Sequence, residues 1–285
     1  MKITDHMLVA EAGDKIKINL SPFVGPVIAP KFMIMHYTVT DGASSAVNWF
    51  KDTKNNTLKL AAHIVLDRDG TIIQMIPFNK KCSHAGSSNW NGVDGMNSVA
   101  IGIEIVNPGQ VSAQFPQRTS AVIRASHKNS ALGAAPGTWF AYPQAQLDAL
   151  YKLSKLILAT YPAIKSVLGH DDVSPIRKAD PGPAFSWDAF NTAVFGAPSD
   201  IAKIFTVNTP DTKFRNTNST VNNTPLKVLP VGYQVGLIEV NGDWCKVFLA
   251  NGKSDVIVPG SDPAKCYKTI GWIHKTLLTI KPGQH

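Results

Sequence analysis

Apolar residues follow two different rhythms along this chain of 285 residues. Up to about residue 196, strand-like and helix-like stretches alternate. Beyond it, only short apolar runs separated by turn residues remain. FMIMHYTV, from Phe32 to Val39, is a continuous apolar run closing in polar residues and predicts a short buried strand. SSAVNWFKD, from Ser44 to Asp52, opens on a serine suited to an N-cap and predicts a helix. HIVLDRDGTIIQMIP, from His63 to Pro77, predicts two strands joined across Asp69-Gly70, a dipeptide favoured by tight hairpins. VAIGIEIV, from Val99 to Val106, predicts another buried strand.

The clearest helix spans Pro143 to Tyr161. Pro143 suits a first turn, and Leu147, Leu150, Tyr151, Ile157, Leu158 and Tyr161 line one face before Pro162 ends it. Between Asn107 and Tyr142 the pattern is lost, and a long irregular surface excursion is expected. Strands interleaved with helices predict an α/β domain, a mixed central sheet flanked by helices, over residues 1–196. GAPSD, from Gly196 to Asp200, has a linker's composition. IFTVNT, LKVLPVGYQVGLIEV, WCKVFLA and GWIHKTLL follow, with turns at Asn241-Gly242 and Asn251-Gly252. This pattern predicts a small all-β barrel over residues 201–285.

Composition narrows the classes without choosing a function. Hydrophobic residues at 44% and charged residues at 17% are ordinary for a soluble protein with buried cores. The net charge of +8 is compatible with nucleic acid, an anionic envelope or no special partner, so it decides little. Cys82, Cys245 and Cys266 show no CxxC spacing, and their odd number does not suggest a disulfide framework. Three reduced thiols are expected, with a Cys245–Cys266 bridge as the alternative in an oxidising compartment. At the N-terminus, Asp5, His6, Glu11, Asp14 and Lys15 interrupt every candidate apolar stretch, so no secretory signal is evident. No stretch reaches the ~18 apolar residues of a membrane span. The expectation is synthesis in the cytoplasm, with any work at the cell wall requiring lysis or a non-classical route.

The candidate chemistry lies in two places. His36 closes an apolar strand and, taken alone, reads as a packed strand-end residue. GHDDVSPIRKADPGPAF, from Gly169 to Phe185, carries His170, Lys178 and Asp180 on a loop that proline and glycine hold to a rigid path. Its bland reading is a strand-to-helix connection with solvated charges.

Taken with MHYT, AAHIVLDRDGTIIQMIPF, HAGSSNW and NSVAIGIEIVNPG, this loop resembles the zinc N-acetylmuramoyl-L-alanine amidases of the type-2 amidase family. The five motifs stand in the family's order from about Phe32 to Phe190. The family includes cytosolic muropeptide-recycling amidases, phage lysis amidases and animal peptidoglycan-recognition proteins. The resemblance implies Zn2+ held by His36, His170 and Asp180, with a fourth position open to water. It also implies that Lys178 stabilises the oxyanion of the tetrahedral intermediate. Glu104 matches the acid/base glutamate of the recycling branch. Where other branches place a tyrosine before the HIV-like strand, this chain has Ala62, again as in the recycling branch. His63 and His84 match positions near the cleft and are candidates for substrate contact, with packing or support of the ligands as the alternative for His63. His127 is assigned no role.

The C-terminal segment resembles a bacterial SH3-type domain, with Trp244 and Trp272 at the places of its paired tryptophan strands and an insertion near DVIVPGSDPAKCYKT that departs from it. Residues 201–285 hold ten Lys/Arg against five Asp/Glu, which suits an anionic wall. The resulting expectation is a hydrolase for the amide between N-acetylmuramic acid and L-alanine. Its expected partner is peptidoglycan or a muropeptide, with no nucleic acid and no membrane insertion. The alternatives are a non-catalytic peptidoglycan-recognition module and a different zinc hydrolase such as a polysaccharide deacetylase. The biological setting stays open between recycling, phage lysis and a toxin delivered into rival cells.

Overall fold

The two apolar runs at 32–39 and 99–106 become neighbouring strands inside one mixed sheet. The protein is described by a computed structural model over residues 1–90, 93–117, 120–128, 135–164, 166–175, 177–196, 204–215, 217–221, 225–249 and 270–280. Two compact units are present, Met1–His127 with Pro136–Phe185, and Lys128–Ala135 with Ser186–His285.

In chain order, the first unit contains a hairpin of β1 (Lys2–Thr4) and β2 (Met7–Val9), then β3 (Ile16–Ile18), β4 (Phe32–Tyr37) and helix α1 (Ala43–Trp49). There follow β5 (Ile64–Leu66), β6 (Ile72–Gln74), the short pair β7 (Asn89–Trp90) and β8 (Val93–Asp94), and β9 (Ala100–Ile105). The unit is completed by the pair β10 (Val122–Ala125) and β11 (Gly137–Phe140), helix α2 (Gln144–Thr160), β12 (Ser166–Gly169) and α3 (His170–Val173). The main sheet has the order β12-β4-β9-β5-β6-β3. All neighbours run parallel except β5 and β6. Met33, Ile34 and Met35 of β4 and Ala100, Ile101 and Ile103 of β9 are fully buried. A parallel strand covered on both faces is apolar at consecutive positions, which is why these two runs show no alternation.

The predicted hairpin forms, with a wider turn than two residues. Asp67 N–H donates to Thr71 O at 2.9 Å and Gly70 N–H to Asp67 O at 3.0 Å. Gly70 has φ +84°, and a Cβ there would meet the Ala145 carbonyl at 2.7 Å, so both conformation and space demand glycine. Helix α1 begins two residues earlier than an N-cap at Ser44 predicts. Gly42 is its N-cap without a side-chain bond, so Ser44 sits in the first turn instead of capping it. Ala43, Ala46, Val47 and Phe50 then pack against Ala61, Ala62, Val65, Ile73 and Val106. Helix α2 fills the predicted span with Pro143 as an extended N-cap residue, but its buried face is Gln146, Leu150, Leu153, Ser154 and Ile157, and Leu147, Tyr151, Leu158 and Tyr161 are only partly buried. The excursion after Asn107 holds the β10/β11 pair, and Asn107 Nδ2 anchors it by donating to Phe140 O at 3.0 Å.

The second unit opens on α4 (Trp187–Phe195), capped by Ser186 Oγ, which accepts from Ala189 N–H at 3.2 Å. Its strands are β13 (Ile204–Val207), β14 (Thr212–Phe214), β15 (Lys227–Leu229), β16 (Gln234–Asn241), β17 (Trp244–Leu249), β18 (Ile270–His274) and β19 (Leu278–Ile280). Five of them form a curled half-barrel sheet in the order β18-β17-β16-β13-β19, and β14 and β15 form a separate pair. Val207, Phe214, Leu229, Val235, Val247 and Ile273 fill its core. Gly242, at φ +59°, makes the turn between β16 and β17 where Asn241-Gly242 was expected. The rest of the linker after Gly196, the Asn251-Gly252 turn, the insertion at 255–269 and Cys266 lie outside the described residues. Cys82 and Cys245 are buried free thiols. Among the described residues, no helix is long and apolar enough to cross a membrane.

One buried polar residue ties α2 to the sheet. Gln146 Nε2 donates to the carbonyls of Leu66 and Val106, each at 3.0 Å, just where β5 and β9 end. Replacing Gln146 with Leu leaves both carbonyls buried without this donor. The expected loss, read by urea or thermal unfolding, is about 1–3 kcal/mol. A loss below ~0.5 kcal/mol would show that these carbonyls find another donor.

Candidate metal centre

Register brings the site together before any side chain is considered. Strands β4 and β12 are parallel neighbours with Gly169 opposite Met35, so His170 follows β12 beside the place where His36 nears the end of β4. On the other side of β4, Glu104 of β9 is paired directly with His36. The chain after α3 folds back so that the Asp180 carbonyl accepts from Asp171 N–H at 2.8 Å. His36, His170, Asp180 and Glu104 therefore converge from four places in the sequence onto the C-terminal edge of parallel strands, where α/β sheets commonly bind ligands.

Three atoms meet at the centre. His36 Nδ1 lies 2.8 Å from His170 Nδ1 and 3.0 Å from Asp180 Oδ2, and His170 Nδ1 lies 2.9 Å from the same oxygen. All three residues are buried. Burial pushes the Asp180 carboxyl up, but the two imidazoles together outweigh it and hold it well below the usual carboxylate range. Burial, aided by His170, lowers His36 to about 4, so the ring is neutral at pH 7. Two imidazoles and one carboxylate are the donor set of an open zinc site, and the residues fit such an ion.

The other nitrogens of both rings face one turn. His36 Nε2 is 3.0 Å from His84 Nδ1, and His170 Nε2–H donates to the Ala85 carbonyl at 3.0 Å. His84 is thus buried against His36. His63 is buried too. Its Nδ1 accepts from Gly102 N–H at 3.0 Å and its Nε2–H donates to Lys80 O at 2.8 Å, which pins β9 to the segment after β6.

His63, Cys82 and His84 form a second buried group whose potential ligand atoms lie within 4.8 Å of one another. Two candidate metal sites are therefore present, and hydrogen bonding separates them. A neutral imidazole has one lone pair, and that of His63 is already engaged by Gly102. Burial, reinforced by Glu104, also pushes the Cys82 thiol far up, which keeps it protonated.

Glu104 is raised well above its ordinary value by burial, with Asp180 adding to the effect and Lys178 opposing it. Among the described residues, its Oε2 has no hydrogen-bond partner. Lys178 also bears on His36 electrostatically, so its charge is felt on both sides of the centre. Several supporting residues escaped the sequence reading. His127 Nε2–H lies 3.0 Å from both Asp171 Oδ2 and Ala179 O, and the Tyr142 hydroxyl donates to Pro181 O at 2.7 Å. Both tie the irregular excursion to the loop that carries Asp180. No periodicity marks them, because their partners are backbone atoms or lie more than thirty residues away.

Comparison with known proteins shows the family. The family model for N-acetylmuramoyl-L-alanine amidase matches residues 26–183. The 1,6-anhydro-N-acetylmuramyl-L-alanine amidase AmpD of Salmonella typhimurium (strain SL1344) is 33% identical over 138 residues, 48% of this chain and 58% of that protein. The chain thus spans a little over half the length of this relative. The N-acetylmuramoyl-L-alanine amidase AmiD of Escherichia coli K12 is 31% identical over 177 residues, 61% of this chain and 56% of that protein. AmiD has been solved in complex with anhydro-N-acetylmuramic acid-L-Ala-D-gamma-Glu-L-Lys (28% identity, 61% of this chain and 60% of that one, TM-score 0.46). A crystal structure of a selenomethionine derivative of AmpD shares the fold, with a TM-score of 0.50 at 23% identity over 68% of this chain and 99% of that one.

The buried histidines make acid stability a direct test of the site. His36 and His63 sit at about 4, against an ordinary value of 6.5, chiefly because of burial. Between these values the unfolded chain binds protons that the folded chain refuses, so unfolding gains as pH falls. The stabilisation is complete above pH ~6.5 and is lost as pH falls towards ~4. The melting temperature of metal-free protein should therefore drop across that window, as followed by circular dichroism. A flat profile there would contradict burial of these rings in the neutral form.

Proposed function

Because the chain belongs to the N-acetylmuramoyl-L-alanine amidase family, we propose that it hydrolyses the amide bond joining the lactyl group of N-acetylmuramic acid to L-alanine, with Zn2+ held by His36, His170 and Asp180. The observation that carries this reading is the convergence of two Nδ1 atoms and one carboxylate oxygen within 3.0 Å of each other. When bound, zinc would acidify water and polarise the scissile carbonyl.

The remaining work falls to the chain's own groups. Glu104 takes a proton from the attacking water and delivers it to the amine of L-alanine as the C–N bond breaks. Burial raises the proton affinity of Glu104, which suits a group that must hold that proton until the amine leaves. Lys178 places a positive charge where the carbonyl oxygen becomes negative, favouring the tetrahedral transition state over the planar amide.

The second unit supports a polymeric substrate. Its all-β sheet carries the two tryptophans of the SH3-type pattern, Trp244 against His274 and Trp272 beneath Lys246. Together with its basic balance, this favours an SH3-like module that holds the enzyme on the wall while the first unit cuts.

Zinc-loaded protein should release free stem peptides from intact sacculi, identified by mass spectrometry through their new L-alanine amino termini. Asp180→Ala and chelator-treated protein should release none. Glu104→Gln should keep zinc and lose about 10²–10⁴-fold in kcat. Release from soluble anhydromuropeptides alone would retain the chemistry and refute the polymeric substrate. Equal release by wild type and Asp180→Ala would refute the metal site.

A further inference from the structure

We propose that the turn His84–Ser87 is a single outer support for the metal centre, one that sets both ligating imidazoles with Nδ1 inward, and that Asn97 and Arg177 hold this turn in place. The proposal rests on the zinc reading above. It assigns His84 to positioning a ligand instead of touching substrate.

A neutral imidazole can offer one nitrogen to a cation only when the other carries the proton, and the partner of that outer nitrogen decides the tautomer. Both outer nitrogens point at consecutive residues of this turn. The Ala85 carbonyl can only accept, so His170 must carry its proton on Nε2, leaving the Nδ1 lone pair free. His84 Nδ1, 3.0 Å from His36 Nε2, provides the same acceptor for the other ligand. Among the described residues, His36 is the side-chain hydrogen-bond partner of His84, and the His84 ring also bonds to the backbone of Ala100 in β9. The buried His84 ring is thus fixed against β9 and directs its Nδ1 to a ligand.

The turn itself is anchored from two sides. Asn97 Oδ1 accepts from the N–H groups of His84 at 2.9 Å and Ala85 at 2.7 Å. Arg177 Nη2 donates to Ala85 O at 2.7 Å and Ser87 O at 2.9 Å, and Ser174 Oγ donates to Ser87 O at 2.8 Å. Arg177 and Ser174 belong to the segment between His170 and Asp180, so ligands and support are tied to one another. Room for the ring comes from β9, where a Cβ on Gly102 would lie 2.5 Å from the His84 imidazole.

Polar and apolar variants at two positions separate this role from mere packing. His84→Phe keeps a ring but removes the acceptor, whereas His84→Asn keeps an oxygen near the place of Nδ1. Asn97→Leu removes the acceptor of the two turn N–H groups, and Asn97→Asp keeps it. Zinc affinity would be measured by chelator competition, ligand geometry by the visible spectrum of the cobalt-substituted protein, and folding by melting of the metal-free protein. His84→Phe and Asn97→Leu should bind zinc about 10–100-fold more weakly, with an altered cobalt spectrum. His84→Asn and Asn97→Asp should stay near wild type in both.

Wild-type affinity and spectrum in His84→Phe and Asn97→Leu would overturn the proposal while leaving the zinc reading intact. Failure of the wild type to bind zinc, or equal binding by His36→Ala, would overturn the zinc reading itself. Should an apolar variant lose its cooperative melt, its polar counterpart decides, because weakened zinc binding in His84→Asn or Asn97→Asp also overturns the proposal.

Discussion

A buried carboxylate held between two imidazoles is the constraint around which the first unit is organised. Asp180 has almost no access to water, and a charge in that position is tolerated only when partners replace its hydration. His36 and His170 are those partners, and burial lowers His36 to about 4. The result is a centre whose three inward atoms crowd within 3.0 Å of one another. Such a cluster is poised for a cation, because a positive ion relieves the crowding of lone pairs that neutral packing cannot.

The sheet exists in the form needed to present this centre. Parallel pairing of β12, β4 and β9 sets His170, His36 and Glu104 side by side with no freedom to drift, because a one-residue slip would turn every side chain to the opposite face. Gln146, bonded to the carbonyls where β5 and β9 end, holds the same edge of the sheet from the helix side. The irregular excursion is drawn into this scheme as well. Its His127 and the Tyr142 that follows it bond to backbone atoms on either side of Asp180, so a stretch without regular pattern still serves the geometry of one carboxylate.

The two groups of potential ligands illustrate how proximity differs from availability. His63, Cys82 and His84 lie as near to one another as many metal-binding triads, yet His63 spends both nitrogens on backbone groups and the Cys82 thiol keeps its proton. At His36 and His170 each outer nitrogen has its partner in the turn at His84 and Ala85, and each inner one faces the other two ligands. The partners of each ring nitrogen, more than the distance between residues, distinguish the two candidate metal centres.

Much of this was legible in the chain alone. Long apolar runs in strands buried on both faces, the helix from Pro143, the Asp69-Gly70 turn and the all-β character after Gly196 follow from local physics, since burial and turn chemistry leave marks within a few residues. Motif resemblance singled out His36, Glu104, His170, Lys178 and Asp180 as candidates, and the structure brings His36, Glu104, His170 and Asp180 to one edge of the sheet. Tertiary structure decided the rest. It placed Ser44 inside its helix, turned His63 and His84 inward, and gave Asn97, His127, Tyr142 and Arg177 their partners. These depend on contacts between residues far apart in the chain, where only the closing of the fold can say which carbonyl or ring stands at hydrogen-bonding distance.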